Sequence, residues 1–240
     1  MTTLVKITLA FLVALFLSSC GFDILLGEGQ KGNGVVAEEN RSIMEEFTAV
    51  SASEGLDVYV HQGSTFAIIV EADENIIDLI ATDIRDGKLR VHALKNIGRA
   101  TKKIHVTLPE IRSLESSSGA DLIAQQLLQT DEIRLSASSG SSLIVVLKAN
   151  EAKADASSGA DIRLSGEAHS IIAHASSGAA IKAGEFYTKI GNAKASSGAD
   201  ISVNVSEALV AEASSGGDVS YTGDALVQQK NAISGKISKY

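Results

Sequence analysis

The sequence predicts an all-β protein, a right-handed parallel β-helix (β-solenoid) with coils of about 18–21 residues, and three observations carry that expectation. The first is a repeat. Near-copies of Ala156-Ser157-Ser158-Gly159-Ala160-Asp161-Ile162 recur, with their glycines at Gly119, Gly140, Gly159, Gly178, Gly198 and Gly216, in steps of 21, 19, 19, 20 and 18 residues. The second is an alternation of period two within each copy, the mark of extended chain with one face inward. Leu114, Leu135, Ala154, Ala173, Ala193 and Ala211 stand five before the glycine, and Leu122, Leu143, Ile162, Ile181, Ile201 and Val219 three after it. The opposite parity is polar, with Glu115, Ser136, Asp155, His174, Lys194 and Glu212 four before the glycine. The third is the repeat length. Neither a hairpin with Asn-Gly-type turns nor a strand plus an amphipathic helix suits it, whereas short strands with tight corners do.

Stacking coils at about 4.8 Å aligns like side chains into ladders. Each repeat glycine is expected at a corner where a side chain would obstruct the bend, and the serine just before it (Ser118, Ser139, Ser158, Ser177, Ser197, Ser215) is expected to face inward and bond to the backbone there. Right-handedness follows from the strong preference of parallel crossovers.

The rest of the chain is read in order. Residues 1–19 hold Lys6 followed by an apolar run from Ile7 to Leu17, too short for a comfortable membrane span, as in a signal peptide. The segment ends Leu17-Ser18-Ser19-Cys20, which resembles the lipobox of bacterial lipoproteins, so Cys20, the sole cysteine, is the expected lipidation site. That lipid would hold the exported chain on a membrane, the outer membrane in a Gram-negative envelope, facing either the periplasm or the outside. Residues 20–45 are Gly-rich and polar and read as the lipidated cysteine and a flexible tether.

A single solenoid domain is expected over 46–240, irregular at 46–115 and regular at 116–240. Ser51 to Val58 aligns with the later repeats, including an acid, Asp57, two after Gly55. Strands are expected at Phe66–Glu71, Leu89–Leu94 and Ile104–Leu108, with a short helix from Glu74 to about Thr82 capped by Asp73. This block should close the N-terminal end of the solenoid. At the other end Ser234-Gly235-Lys236-Ile237 falls 19 residues after Gly216, and lysines there should discourage end-to-end stacking.

The combination of Gly55-Leu56-Asp57-Val58-Tyr59-Val60 with Gly63, Glu71-Ala72-Asp73-Glu74-Asn75, Asp86-Gly87-Lys88-Leu89, Thr107-Leu108-Pro109 and the Ser-Ser-Gly-Ala-Asp repeats resembles the auto-transporter adhesin head, or GIN domain, lipoproteins. The resemblance covers about residues 34–240 and implies a right-handed β-helix on an exported lipoprotein.

The residues themselves supply no catalytic set. Asp121, Asp161, Asp200 and Asp218 recur on one row, where β-helix enzymes acting on acidic polysaccharides place acids. Two unit charges about 4.8 Å apart repel by roughly 1 kcal/mol in water and roughly 3.5 kcal/mol at an effective dielectric of 20, so a row interrupted by Ser142 and Ala180 reads as structural. The RTX calcium pattern fits poorly, the five histidines lack ligand spacing, and no G-x-S-x-G, P-loop or dinucleotide motif occurs. Phe186-Tyr187, an aromatic pair within the repeats, marks a local departure, either a glycan platform or an insertion covering its own apolar surface. Lys95 to Lys103 is a basic cluster read as a solvated hairpin. A net charge of -8 disfavours nucleic acid and anionic membrane surfaces as partners. The expected function is therefore a non-catalytic envelope lipoprotein, an adhesin or binding module whose Ser/Gly/Asp face, including the four aspartates, Phe186 and Tyr187, meets a polysaccharide or envelope protein. No cofactor is implied. A polysaccharide-active enzyme and a divalent-cation binder are the alternatives.

Overall fold

Among the described residues, alternating apolar residues give seventeen strands that hydrogen-bond into one continuous sheet. The computed structural model describes residues 29–231 and 234–240, so the expected signal segment and Cys20 lie outside the described residues. In chain order the strands are β1 (Val36–Asn40), β2 (Ala49–Ala52), β3 (Asp57–Gln62), β4 (Ala67–Asp73), β5 (Ile80–Arg85), β6 (Lys88–Ala93), β7 (Lys102–Leu108), β8 (Ser113–Ser116), β9 (Asp121–Gln129), β10 (Glu132–Ala137), β11 (Ser142–Ala156), β12 (Asp161–Ala175), β13 (Ala180–Ser196), β14 (Asp200–Ser214), β15 (Asp218–Thr222), β16 (Leu226–Asn231) and β17 (Lys236–Lys239). From β8 onward every pairing is parallel and follows the repeat, one coil upon the next, so the chain is a parallel β-solenoid. The long strand β11 begins on β9 and ends on β10, so one strand serves two stretches of the coil.

The apolar inward rows are the predicted ones. Val58, Leu122, Leu143, Ile162, Ile181, Ile201 and Val219 are in register with one another and at most 1 % exposed. Full burial of such a side chain is worth roughly 1.5–3 kcal/mol, and the column repeats that gain in every coil. Opposite it run Leu114, Leu135, Ala154, Ala173, Ala193 and Ala211, all buried, their mostly small side chains letting the two walls approach.

The corners differ from expectation. A Cβ built on Gly119, Gly140, Gly159, Gly178 or Gly198 meets nothing within 4 Å, so crowding is not the reason for glycine. The reason is backbone conformation: the serine and glycine of each corner both have positive φ, for example 53° at Ser158 and 71° at Gly159. The Ala160 N–H closes the turn on the Ser157 carbonyl at 3.2 Å, so Ser-Gly occupies the central positions of a turn with the left-handed pair of type I′. The geometry associated with two-residue hairpins here joins parallel coils. Adjacent corners are also bonded, since Gly119 N–H donates to the Ser139 carbonyl at 3.1 Å and Gly159 N–H to that of Ser177 at 3.1 Å. The left-handed pair turns the serine side chain outward, and Ser118, Ser139 and Ser158 are exposed rather than inward. The inward hydroxyls bonding the corner backbone belong instead to Ser116, which donates to the Ala120 carbonyl at 2.8 Å, and Ser141, which donates to that of Ser116 at 2.8 Å.

The N-terminal part stacks out of sequence order. β2 lies between β6 and β8, and β3 between β7 and β9, so residues 49–62 form a coil inserted between two later ones. Antiparallel strands then cover the end: β5 on β6, β4 on β7, and β1 on β4. Residues 36–40, expected within a tether, are thus the outermost strand of the cap. The expected helix from Glu74 to about Thr82 is a single 3-10 turn at Ile77–Leu79 followed by β5, because the β-branched run Ile76, Ile77, Ile80 and Thr82 suits a strand that β6 is there to pair. Asp73 does not cap it. Its carboxylate, 3 % exposed, accepts the Gly34 N–H at 2.8 Å and the Thr101 N–H at 2.7 Å, pinning the entering chain to the cap. Glu39 stands at the end of the apolar column, opposite Val70, and pairs with Arg41 at 3.1 Å. Arg41 also donates to the Ile77 carbonyl at 2.8 Å. A charge at an inward edge position is a known device against strand addition.

Candidate functional site

The outer face is a set of columns, each built from one residue per coil. The acid column runs Glu71, Lys103, Asp57, Asp121, Ser142, Asp161, Ala180, Asp200, Asp218, Lys236 in register. The four sequence-predicted aspartates therefore share one column, and the out-of-order coil adds Asp57 directly beside Asp121. Cations punctuate it. Lys182 donates to Asp161 at 2.9 Å, Lys103 to Glu71 at 3.1 Å, and Lys236 stands opposite Asp218. Burial and the neighbouring Asp121 carboxylate push the Asp57 carboxyl above its ordinary pKa, with Lys102 and Lys103 opposing. Glu71 is held below its ordinary value, chiefly by the Lys103 hydrogen bond, with His105 adding to it. Among the described residues no group of three or more His, Cys, Asp or Glu is placed to hold a metal ion.

A second column carries Glu115, Ser136, Asp155, His174, Lys194 and Glu212 in register, as predicted for the polar row. Its charges are also matched along the stack: Lys88 with Glu115 at 2.7 Å, Arg134 and His174 with Asp155 at 3.2 and 3.4 Å, and Lys194 with Glu212 at 3.0 Å. Nearer the cap, Tyr59 stacks on His105 with ring centroids 5.2 Å apart, and His61 lies 6.4 Å from His105. This cluster escaped the sequence reading because Tyr59 and His105 are neighbours only through the β3–β7 pairing.

The departure at Phe186-Tyr187 is a bulge in β13. Ala183 and Tyr187 oppose the consecutive residues Val203 and Asn204, which leaves residues 184–186 without partners on β14. The extra length separates the two aromatic rings. Phe186 is 1 % exposed and belongs to the core, opposite Gly166 in the inward column, so it is no part of a binding face. Tyr187 is 64 % exposed, in the outer column Lys148, Glu167, Tyr187, Asn204. Thr188 Oγ1 donates to the Asn204 carbonyl at 3.0 Å and Ser206 Oγ to the Thr188 carbonyl at 3.2 Å, tying β13 to β14 just beyond the bulge. Beside Tyr187 lies an open groove of about 390 Å³, lined among others by Lys148, Glu167, His169, Lys189 and Asn204. Its lysines are paired, Lys148 with Glu167 at 2.6 Å and Lys189 with Glu207 at 3.4 Å. Only the aromatic pair signalled this place in the sequence, since the other lining residues come from neighbouring coils.

Residues 46–225 match the family described as "Putative auto-transporter adhesin, head GIN domain". Among solved structures, a putative adhesin from Bacteroides fragilis superposes with a TM-score of 0.77 at 19% identity, covering 88% of this chain and 100% of its own. One from Parabacteroides merdae gives 0.70 at 22% identity, covering 88% of this chain and 98% of its own. A protein of Parabacteroides distasonis described as a putative lipid binding protein gives 0.71 at 16% identity, with coverages of 88% and 98%. At these identities the likeness is one of fold. No curated protein matches this chain.

Proposed function

Because the chain belongs to the GIN-domain family of auto-transporter adhesin heads, we propose that it is a non-catalytic binding module of the cell envelope, held on the outer membrane by a lipid on Cys20. The observation that carries the non-catalytic part is the state of the outer columns. Along the regular coils their ionisable groups recur at coil spacing, and many are paired with a neighbour along the stack, which supports a structural ladder rather than one acid and base aimed at a single bond. The lipobox-like Leu17-Ser18-Ser19-Cys20 supports the anchor, and no helix of the described residues is long and apolar enough to cross a membrane. A stack of identical coils offers a long rigid face, on which weak contacts with a repetitive polymer sum through avidity.

Two measurements test the proposal. The full chain, incubated with envelope and host polysaccharides with and without calcium, should release no new reducing ends and no unsaturated products. Turnover abolished by changing Asp121, Asp161, Asp200 or Asp218 would replace the binding module by an enzyme. Cys20→Ser should leave the chain folded and move it from the detergent phase to the aqueous phase in detergent-phase partitioning. Partitioning unchanged from the wild type would refute the lipid anchor.

A further inference from the structure

We infer that the groove beside Tyr187 is a binding subsite for a neutral sugar, and that the specific contact of this module sits at this one bulge rather than along the regular ladder. The inference rests on the binding-module reading above and assigns it a place and a ligand class.

Exposure of an aromatic ring in a repeat built from Ser, Gly, Ala and Asp needs a cause, and here the cause is local. The residues added in β13 without partners on β14 alter its register. Phe186 then enters the core at 1 % exposure while the next residue, Tyr187, is presented outward at 64 % exposure. The buried Phe186 and the Thr188 and Ser206 hydroxyls that stitch β13 to β14 hold the Tyr187 backbone, so the ring is presented by a fixed strand rather than by a loop. Gly166 is a position that admits no side chain. It lies opposite Phe186, with φ of 109°, and any Cβ there would stand 2.1 Å from the Leu147 carbonyl oxygen.

The groove's chemistry selects among ligands. One ring face with polar groups around it suits a pyranose, which has an apolar C–H face and a rim of hydroxyls. One carboxylate, a histidine, an amide, two hydroxyls and two lysines line the groove and offer both donors and acceptors. Both lysines are already paired with Glu167 and Glu207, so no free cation is presented to a carboxylated or sulfated sugar, and the net charge of -8 disfavours one further. The volume of about 390 Å³ lies near the lower end of the roughly 300–1,000 Å³ of small-molecule sites, which fits one or two sugar rings rather than a long polymer segment. The other coils place Gln129, Lys148, Glu167 and Asn204 in this column, so the aromatic occurs once in it.

The test is calorimetric titration of the full chain in detergent with neutral gluco-, manno- and N-acetylglucosamine tetrasaccharides and with uronic-acid counterparts, reading Kd and product release together. The wild type should bind at least one neutral tetrasaccharide and bind the acidic ones more weakly. Tyr187→Ala should weaken binding by about tenfold or more at an unchanged melting temperature, and Tyr187→Phe should retain most of it. Binding of no neutral sugar, preference for the acidic ones, or equal affinity in Tyr187→Ala would overturn the inference. The broader reading fails on a different result: if the sugar is cleaved, the module is not non-catalytic, whereas binding unaffected by Tyr187→Ala removes only the groove.

Discussion

Serine at a left-handed position is an unusual choice, since a non-glycine residue there costs roughly 1–2 kcal/mol and asparagine or aspartate tolerates it better. At each corner the strained carbonyl is also the acceptor of the glycine N–H from the neighbouring coil, so the conformation that costs energy locally aligns the bond that joins coils. Glycine is then required for its φ and not for space. Gly159→Val should lower stability by about 1–3 kcal/mol, because a β-branched residue is poorly accommodated at φ of 71°. Asp161→Ala, which removes only an exposed pair with Lys182, should cost less than about 1 kcal/mol. Urea titrations of the two variants check this, and equal losses would contradict the corner assignment.

Strands acquire their electrostatics from the columns they share. Asp57 is ordinary in sequence, yet the β3–β9 pairing sets it beside Asp121, and burial with that neighbour raises its pKa. A carboxyl that binds its proton more tightly when folded makes stability fall as pH rises from its unfolded value through the folded one. Asp57→Asn should therefore raise the melting temperature by roughly 1–3 °C at pH 7, with the gain vanishing near pH 3, where the wild-type carboxyl is protonated in both states. Glu71, lowered by Lys103, acts in the opposite sense and contributes stability that is lost on acidification. Thermal melts of wild type and Asp57→Asn across pH separate the two effects.

Over the whole molecule, coils contact only their neighbours, so stability is close to a sum over coils and interfaces. Deleting residues 141–159, one coil of 19 residues, joins Gly140 to Ala160 and keeps the corner, the parity and the column assignments. This variant should fold, with an m-value reduced in proportion to the surface removed. Deleting residues 141–149 should not give a cooperative fold, because nine residues are only about half a coil, so the next corner and every later column fall out of register with the coil below. Circular dichroism and urea unfolding of both deletions test it. The cap is not repetitive in this way, since its strands pair out of order and its core column ends on the Glu39–Arg41 pair.

The sequence by itself determined the solenoid, the position of each corner, which apolar rows face inward and the acid column of the regular coils. Those features depend on spacing along the chain, and a parallel stack converts a constant spacing directly into a column. Tertiary structure decided what spacing cannot express. Whether Ser158 faces in or out depends on two φ values at one turn. The insertion of residues 49–62 between later coils, which sets Tyr59 on His105 and Asp57 by Asp121, depends on pairing between distant segments. The segment after Asp73, expected as a helix, became a strand because β6 offered it an edge, and residues 36–40 were drawn from the expected tether by the edge of β4. The aromatic pair was visible as a departure from the repeat, but which ring entered the core and which faced solvent was settled by the bulge in β13, because the residues that have no partner on β14 shift the side-chain parity of the strand there.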